Sequence, residues 1–368
     1  MNVDSSLCQA LDDFSASGAD RFPDALATSL KSARFFSLLL PAHLGGEPPA
    51  LPDYLHLVRT IARANGSAGW CVNQGSVLAS LARLLPVDAG RTIYKNASVT
   101  VANGPPRQCE SVPTDGGFRL TGRWHFSSGI ESADWLIGVA PVRENGKVVD
   151  TLWHYFPKSE ATIGTDWPVQ GLRATCSYEF AVDDLFIPSD RAVRAVVMDD
   201  DEPLYQVPLN LLFASGFAAV ALGVAEAAIE FARERVQEKV KRFERNAMKE
   251  DTLVQDRLGH ALARWRAAES YLMRTVEHAW AETNRAGTCD MDHRMALRLA
   301  TTHVIHEARG AADIAYDLCS TDSIFNSTPV QQRFQDIHVI TQHLQGRPEV
   351  YSVVGRHELG LPVKSPLI

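Results

Sequence analysis

The feature that most constrains this chain is a double change in its hydrophobic period. In the N-terminal part, apolar residues recur at helical spacing, with Leu26, Leu30, Ala33 and Phe36 three or four apart and Leu57 and Ile61 four apart after Pro52. From about Val99 the period drops to two, and Phe118, Leu120, Trp124 and Phe126 alternate with polar neighbours. Beyond Pro203 the helical spacing returns and persists toward the C-terminus. One period buries a stripe of a helix and the other buries one face of a strand. The pattern therefore predicts an α+β fold, mainly α, in three parts: helices over 1–98, a β domain over 99–202, and helices over 203–368.

Breakers sharpen the outline. Pro41 and the Gly45-Gly46 stretch separate early helices, and Ser67 to Leu85 forms another that Pro86 stops. Trp135 to Val142, Thr151 to Phe156 and Ser177 to Ile187 read as strands. No helix intervenes between them, so the sheet is predicted to be mainly antiparallel. An acidic turn from Asp199 to Pro203 ends the β region. Four long helices follow: Leu209 to Val240, Thr252 to about Asn284 (with Thr252 and Gln255 as a capping box), Arg294 to Cys319, and Val330 to Leu359 with an interruption near Gly346. Short loops between long helices predict an antiparallel four-helix bundle.

Charge and cysteine usage exclude several classes. The chain of 368 residues has 36 basic and 44 acidic side chains, a net of -8, which disfavours a nucleic-acid partner. Six cysteines are scattered without a CxxC, as expected of reduced thiols in a cytoplasmic protein and not of a disulfide frame or zinc site. The first 20 residues carry four Asp and no basic residue, unlike a targeting peptide. Pro203 to Ala225 lacks charge, but Gln206, Pro208, Asn210 and Ser215 interrupt it, so it predicts a buried bundle helix and no membrane span.

The motifs are fewer than the elements. GxGxxG, GxxxxGK[ST] and GxSxG are all absent. His303 and His306 lie one turn apart, but no third ligand accompanies them, so a polar bundle contact is expected and no metal. Asp290 before a helix reads as a cap. Two β-region segments stand out: Trp124-His-Phe-Ser-Ser-Gly129 and Gly171-Leu-Arg-Ala-Thr-Cys-Ser177. They gather Ser127, Ser128, Thr175 and Ser177 near strand ends, where hydroxyls and backbone N–H groups can meet a planar heterocycle.

The layout and these segments resemble the acyl-CoA dehydrogenase superfamily, over essentially the whole chain. Ala33 to Gly46 and Ile61 to Trp70 are similar to its N-terminal signatures, and the two β segments to its flavin-contacting strands. The resemblance implies a flavin between β domain and bundle. By match, Ser127 or Ser128 hydrogen-bonds near flavin N5, Trp124 and Phe126 pack on the ring, and Arg173, Thr175 and Ser177 reach its edge or phosphate. Arg242 or Arg245 would complete a neighbour's site in a homotetramer. Trp70, Asn73 and Ser76 would wall the substrate.

The superfamily contains dehydrogenases that use a carboxylate base and two-component monooxygenases that use reduced flavin. The segment matching the dehydrogenase base carries Gln331, which cannot accept a proton at neutral pH, and Leu204 to Ala225 contains no Asp or Glu. Asp336-Ile-His338-Val-Ile-Thr-Gln-His343 resembles instead the monooxygenase branch, whose second histidine lies beside flavin and substrate. On one continuous helix, His338 and His343 point in different directions, and the match selects His343, with Ser128, as catalytic. An imidazole there can exchange a proton near neutral pH or hydrogen-bond the flavin peroxide. The resemblance thus implies an oxygenase component that takes FADH2 or FMNH2 from a separate NAD(P)H-dependent reductase. It would use O2 through a C4a-hydroperoxide to hydroxylate a small aromatic of phenol or indole type. The competing expectation is a flavin-linked dehydrogenase with an atypical base.

Overall fold

The computed structural model describes residues 3–194, 202–240, 242–365 and 367–368. The expected acidic turn at Asp199, Asp200 and Asp201 lies outside them. Five helices open the fold: α1 (Ser5–Ser17), α2 (Asp24–Ser32), α3 (Leu51–Ala64), α4 (Gly66–Ser80) and α5 (Val87–Ile93). Leu51, Tyr54, Leu55, Val58, Ile61 and Ala62 form the buried stripe of α3. Asn65 ends that helix and caps the next, accepting a hydrogen bond from the Ala68 N–H at 2.9 Å. α4 has no polar face. Its serines and Asn73 are buried with its apolar residues, as required of a helix enclosed on all sides.

The β region contains β1 (Val101–Asn103), β2 (Pro106–Thr114), β3 (Gly117–Trp124), β4 (Trp135–Glu144), β5 (Lys147–Pro157), β6 (Thr162–Ile163), β7 (Phe180–Pro188) and β8 (Ala192–Val193). The strand order is β6-β7-β3-β2-β4-β5-β8, with β1 beside β4. Most pairs are antiparallel, but β4 runs parallel to both β1 and β2, so the sheet is mixed. The cause is one crossover. After the β2–β3 hairpin, residues 125–134 carry the chain across to the far side of β2, which gives β4 the direction of β2. That crossover contains Phe126, Ser127 and Ser128.

The C-terminal part comprises α6 (Pro203–Gln206), α7 (Leu209–Glu238), α8 (Thr252–Ala286), α9 (Met291–Cys319), α10 (Pro329–Thr341) and α11 (Glu349–Glu358). The first half of α7 is the uncharged stretch noted above, and 83% of its apolar window is buried in protein, packed against α3, α4, α9 and α10. Its helical core is continuous with that of α1 to α4, so bundle and N-terminal helices share one hydrophobic interior. The N-cap of α8 is Asp251, which accepts from the Leu253 N–H at 2.9 Å, and not Thr252, which is the first helical residue. Asp290 caps α9 through the His293 N–H at 2.9 Å. The last helix breaks earlier than the sequence predicts. α10 stops at Thr341, and His343 is extended (φ −69, ψ 153) before a 3-10 turn over Leu344–Gly346.

Candidate active site

Three separate parts of the chain meet at Trp70 on α4. Its indole N–H donates to Ser128 Oγ at 3.0 Å, and its ring stacks on Phe217 of α7 at 3.9 Å between centroids. His343 meets both rings edge-on, 5.0 Å from Trp70 and 4.8 Å from Phe217. The β crossover, the two central helices and the segment after α10 thus converge on one aromatic cluster.

From Ser128 a chain of hydroxyls runs inward. Ser128 Oγ lies 2.8 Å from Ser177 Oγ, which lies 2.7 Å from Thr175 Oγ1, and the Thr175 hydroxyl donates to the Leu172 carbonyl at 2.8 Å. Both ends fix the direction of this chain. An indole N–H only donates and a carbonyl only accepts. Thr175 therefore accepts from Ser177, Ser177 accepts from Ser128, and Ser128 accepts from Trp70. Ser128 has spent its proton and keeps one free lone pair. It is 9% exposed, enough to meet a donor and unable to serve an acceptor.

The segment holding this chain is strained and clamped. Leu172 and Cys176 have left-handed backbones (φ 52 and 44), as does Phe126 (φ 56), conformations that non-glycine residues rarely adopt. Asp336 of α10 restrains the first of them, its Oδ1 accepting from the Leu172 N–H at 2.6 Å. Gly171 allows the approach, since a Cβ there would sit 2.3 Å from the Gln335 carbonyl oxygen. Asp336 is 1% exposed and its Oδ2 has no hydrogen-bond partner. Burial raises its pKa to about 6.

His343 is held from below. The Arg298 guanidinium donates to Gln345 Oε1 and, at 3.0 Å, to the Gln345 carbonyl, which also accepts from Thr302 at 3.3 Å. His306 Nε2 bonds the Gly346 carbonyl at 2.8 Å, the bundle contact expected of that residue. Burial, then the charges of Arg298 and Arg347, lower the His343 pKa to about 4. The earlier helix stop removes the angular argument against His338, but its place is elsewhere: its Nε2 pairs with Asp313 at 2.9 Å.

The other expected site residues divide into those that packing consumes and those that stay exposed. Trp124 has no free face for a ring: it is 0% exposed, stacks on Phe180 at 5.0 Å, and donates to the Val139 carbonyl within the sheet core. Phe126 has the same strand parity, but its left-handed backbone turns it out of the sheet, and it is 55% exposed beside Trp167 at 5.7 Å. Asn73 accepts from the Tyr54 hydroxyl at 2.8 Å and donates to the Phe213 carbonyl, so it braces three helices and forms no substrate wall. Ser76 is likewise consumed, donating to the Phe35 carbonyl at 3.0 Å. Arg173 pairs with Asp20 at 3.0 Å. Thr175 and Ser177 are buried behind Ser128, and their hydroxyls are taken up by the chain. Arg242 is exposed in the α7–α8 loop, lying over Phe243.

Three residues escaped the sequence reading. Phe217 sits in the uncharged half of α7, where no periodicity distinguishes it. Gln74 donates to Asn103 Oδ1 at 2.9 Å, joining α4 to the end of β1 near the crossover. Arg298 did leave a signal, a lone charge between Leu297 and Leu299.

The arrangement suits a flat heterocycle that carries an N–H. Ser128 offers only a lone pair, Ser127 Oγ is buried without a partner, and Phe126 projects an exposed ring beside Trp167. A neighbouring cavity of about 360 Å³ shares Gly129 and Thr175 and is rimmed by the Arg21–Glu131 and Lys31–Asp134 ion pairs.

Comparisons with known proteins agree with this geometry. Residues 215–348 match the family model described as acyl-CoA dehydrogenase, C-terminal domain. The indole-3-acetate monooxygenase of Pseudomonas putida is 30% identical over 321 residues, covering 86% of this chain and 81% of that protein. The flavin-dependent monooxygenase oxygenase subunit HsaA of Rhodococcus jostii is 26% identical, covering 95% and 94%. The crystal structure of 3-HSA hydroxylase from Rhodococcus sp. RHA1 superposes with a TM-score of 0.90 at 25% identity, covering 99% of this chain and 97% of that one. The chain belongs to the flavin-dependent monooxygenases of the acyl-CoA dehydrogenase superfamily, as an oxygenase component that works with reduced flavin and O2.

Proposed function

We propose that this oxygenase hydroxylates a small aromatic ring held between the Trp70–Phe217–His343 cluster and a flavin seated against the β crossover. Reduced flavin, when bound, supplies two electrons and activates O2, so that one oxygen atom enters a ring C–H bond and the other leaves as water. The chain's own part is to bind, orient and exclude water. Ser128 would accept a hydrogen bond from the N5–H that reduced flavin carries and oxidised flavin lacks. Phe126 and Trp167 cover an aromatic face. Trp70 and Phe217, buried and stacked on one another, exclude water from behind the reacting edge.

The observation that carries this reading is the one-way hydroxyl chain that ends at Ser128. A dehydrogenase needs a carboxylate open to substrate. Asp336 is sealed in the core with Oδ1 engaged by Leu172, and Gln331 stands where the family's base is expected. The relative's description as an oxygenase subunit supports a separate NAD(P)H-dependent flavin reductase as partner. The exposed Arg242 and Phe243 suit contact with a neighbouring subunit of a homotetramer, and six unpaired cysteines suit the cytoplasm.

The test is product analysis under ¹⁸O2, with a panel of phenols and indoles and a generic flavin reductase. A ring product carrying one labelled oxygen is expected. Reduced flavin that is consumed with no labelled product across the panel would overturn the reading.

A further inference from the structure

The protonation state of His343 can be read from its surroundings. Its Nδ1 accepts a hydrogen bond from the Gln345 N–H at 3.3 Å, as the cap of the Leu344–Gly346 turn. A neutral imidazole has one N–H, and the nitrogen that accepts cannot carry it, so the proton lies on Nε2. Nε2 sits across the ring from the turn and makes no hydrogen bond among the described residues.

The turn has little freedom to release Nδ1. Arg298, Thr302 and His306, four residues apart along α9, bond the Gln345 and Gly346 carbonyls. Protonating Nδ1 would set one N–H against another. It would also place a second positive charge near Arg298, which is 0% exposed and has no carboxylate partner among the described residues. Arg347 is the other charge acting on the ring. Trp70 of α4 and Phe217 of α7, which meet it edge-on, carry none. These causes agree with the lowered pKa of about 4.

We propose that His343 serves as a fixed, neutral Nε2–H donor and not as a base, and that the site therefore recognises its ring substrate through an oxygen acceptor, a phenol or phenolate oxygen, and not through an N–H. The proposal rests on the active-site reading above. His343 transfers no proton in this role. Its hydrogen bond strengthens as negative charge grows on the accepted oxygen, and the buried Arg298 charge behind the turn favours the same form. A neutral histidine donating to a developing oxyanion is an established catalytic device. A substrate that turns an N–H toward His343 meets donor against donor.

Two measurements test this. Full-length protein labelled with ¹⁵N at histidine is followed by long-range ¹H–¹⁵N correlation across neutral pH, with His343→Gln identifying the His343 signals by difference. An unprotonated Nδ1 with a protonated Nε2 is expected. A protonated Nδ1, or an imidazolium at pH 7, overturns the proposal whatever the variants do. In parallel, His343→Gln keeps an N–H donor but no basic nitrogen, whereas His343→Ala has neither. Product formation on a phenol is expected to survive better in the Gln variant, by about tenfold, the worth of one hydrogen bond. Equal losses in the two would overturn the donor role. Anaerobic titration with reduced flavin separates the failures: a protein that does not bind it overturns the active-site reading itself, and one that binds it with the wrong tautomer overturns only this inference.

Discussion

Asp336 and Leu172 are 164 residues apart in sequence, yet the Leu172 N–H donates to the Asp336 carboxylate at 2.6 Å. This bond ties the last bundle helix to the strained turn whose carbonyl terminates the Ser128 hydroxyl chain. Asp336→Ala removes the acceptor and leaves a buried N–H unsatisfied. A loss of about 3 kcal/mol is expected, with weaker flavin binding as the turn loosens. Denaturant melts and flavin titration on the same preparation check both.

The same residue and His343 give pH signatures of opposite sign. The folded-state pKa of Asp336 is raised to about 6, so its contribution to stability is complete below the ordinary carboxyl value and is lost as pH rises through about 6. That of His343 is lowered to about 4, so its contribution is present above the ordinary histidine value and is lost as pH falls through about 4. Asp336→Asn keeps an acceptor for Leu172 and removes the first slope. His343→Gln removes the second. Thermal melts between pH 4 and pH 8 should show the two variants departing from the parent in opposite directions.

Phe126 and Trp124 separate function from packing. Phe126→Ala deletes a side chain that is 55% exposed, so stability should change by about 0.5 kcal/mol or less while flavin affinity falls. Trp124→Ala empties the centre of the sheet core and should cost about 3–5 kcal/mol. Equal loss of stability in the two variants would contradict the placement of Phe126.

The hydroxyl chain predicts a redox preference. Ser128→Ala removes the lone pair that Ser128 offers to the flavin N5–H. Reduced flavin should bind about tenfold more weakly, with little change for oxidised flavin. Thr175→Val leaves Ser177 without its acceptor and frees the chain to reverse. It should narrow the gap between the two redox states without touching the ring. Anaerobic titrations with both forms measure this directly.

Thr302→Val tests the support of the His343 turn. It deletes one of the two donors to the Gln345 carbonyl and keeps the side-chain shape. A stability loss of about 1 kcal/mol is expected, with product yield falling more than reduced-flavin affinity.

Much of this protein was legible in its sequence. Hydrophobic period set the order of helices, sheet and bundle, because burial of one face leaves a local trace at every second or every third and fourth residue. The absence of acid from Leu204 to Ala225, and the presence of Gln331, were equally plain, since side-chain chemistry needs no coordinates. Other features had no local trace. Trp124 and Phe126 share a parity, and only the left-handed backbone at Phe126 separates the buried ring from the exposed one. Asn73 and Ser76 looked available until the packing of α4 consumed them. The Ser128 chain takes its direction from Trp70 of a distant helix, and the turns that set its other end and the tautomer of His343 are held by Asp336 and Arg298 from distant segments. Periodicity reports how a residue sits in its own element. Which donor meets which acceptor is decided only when separate elements pack.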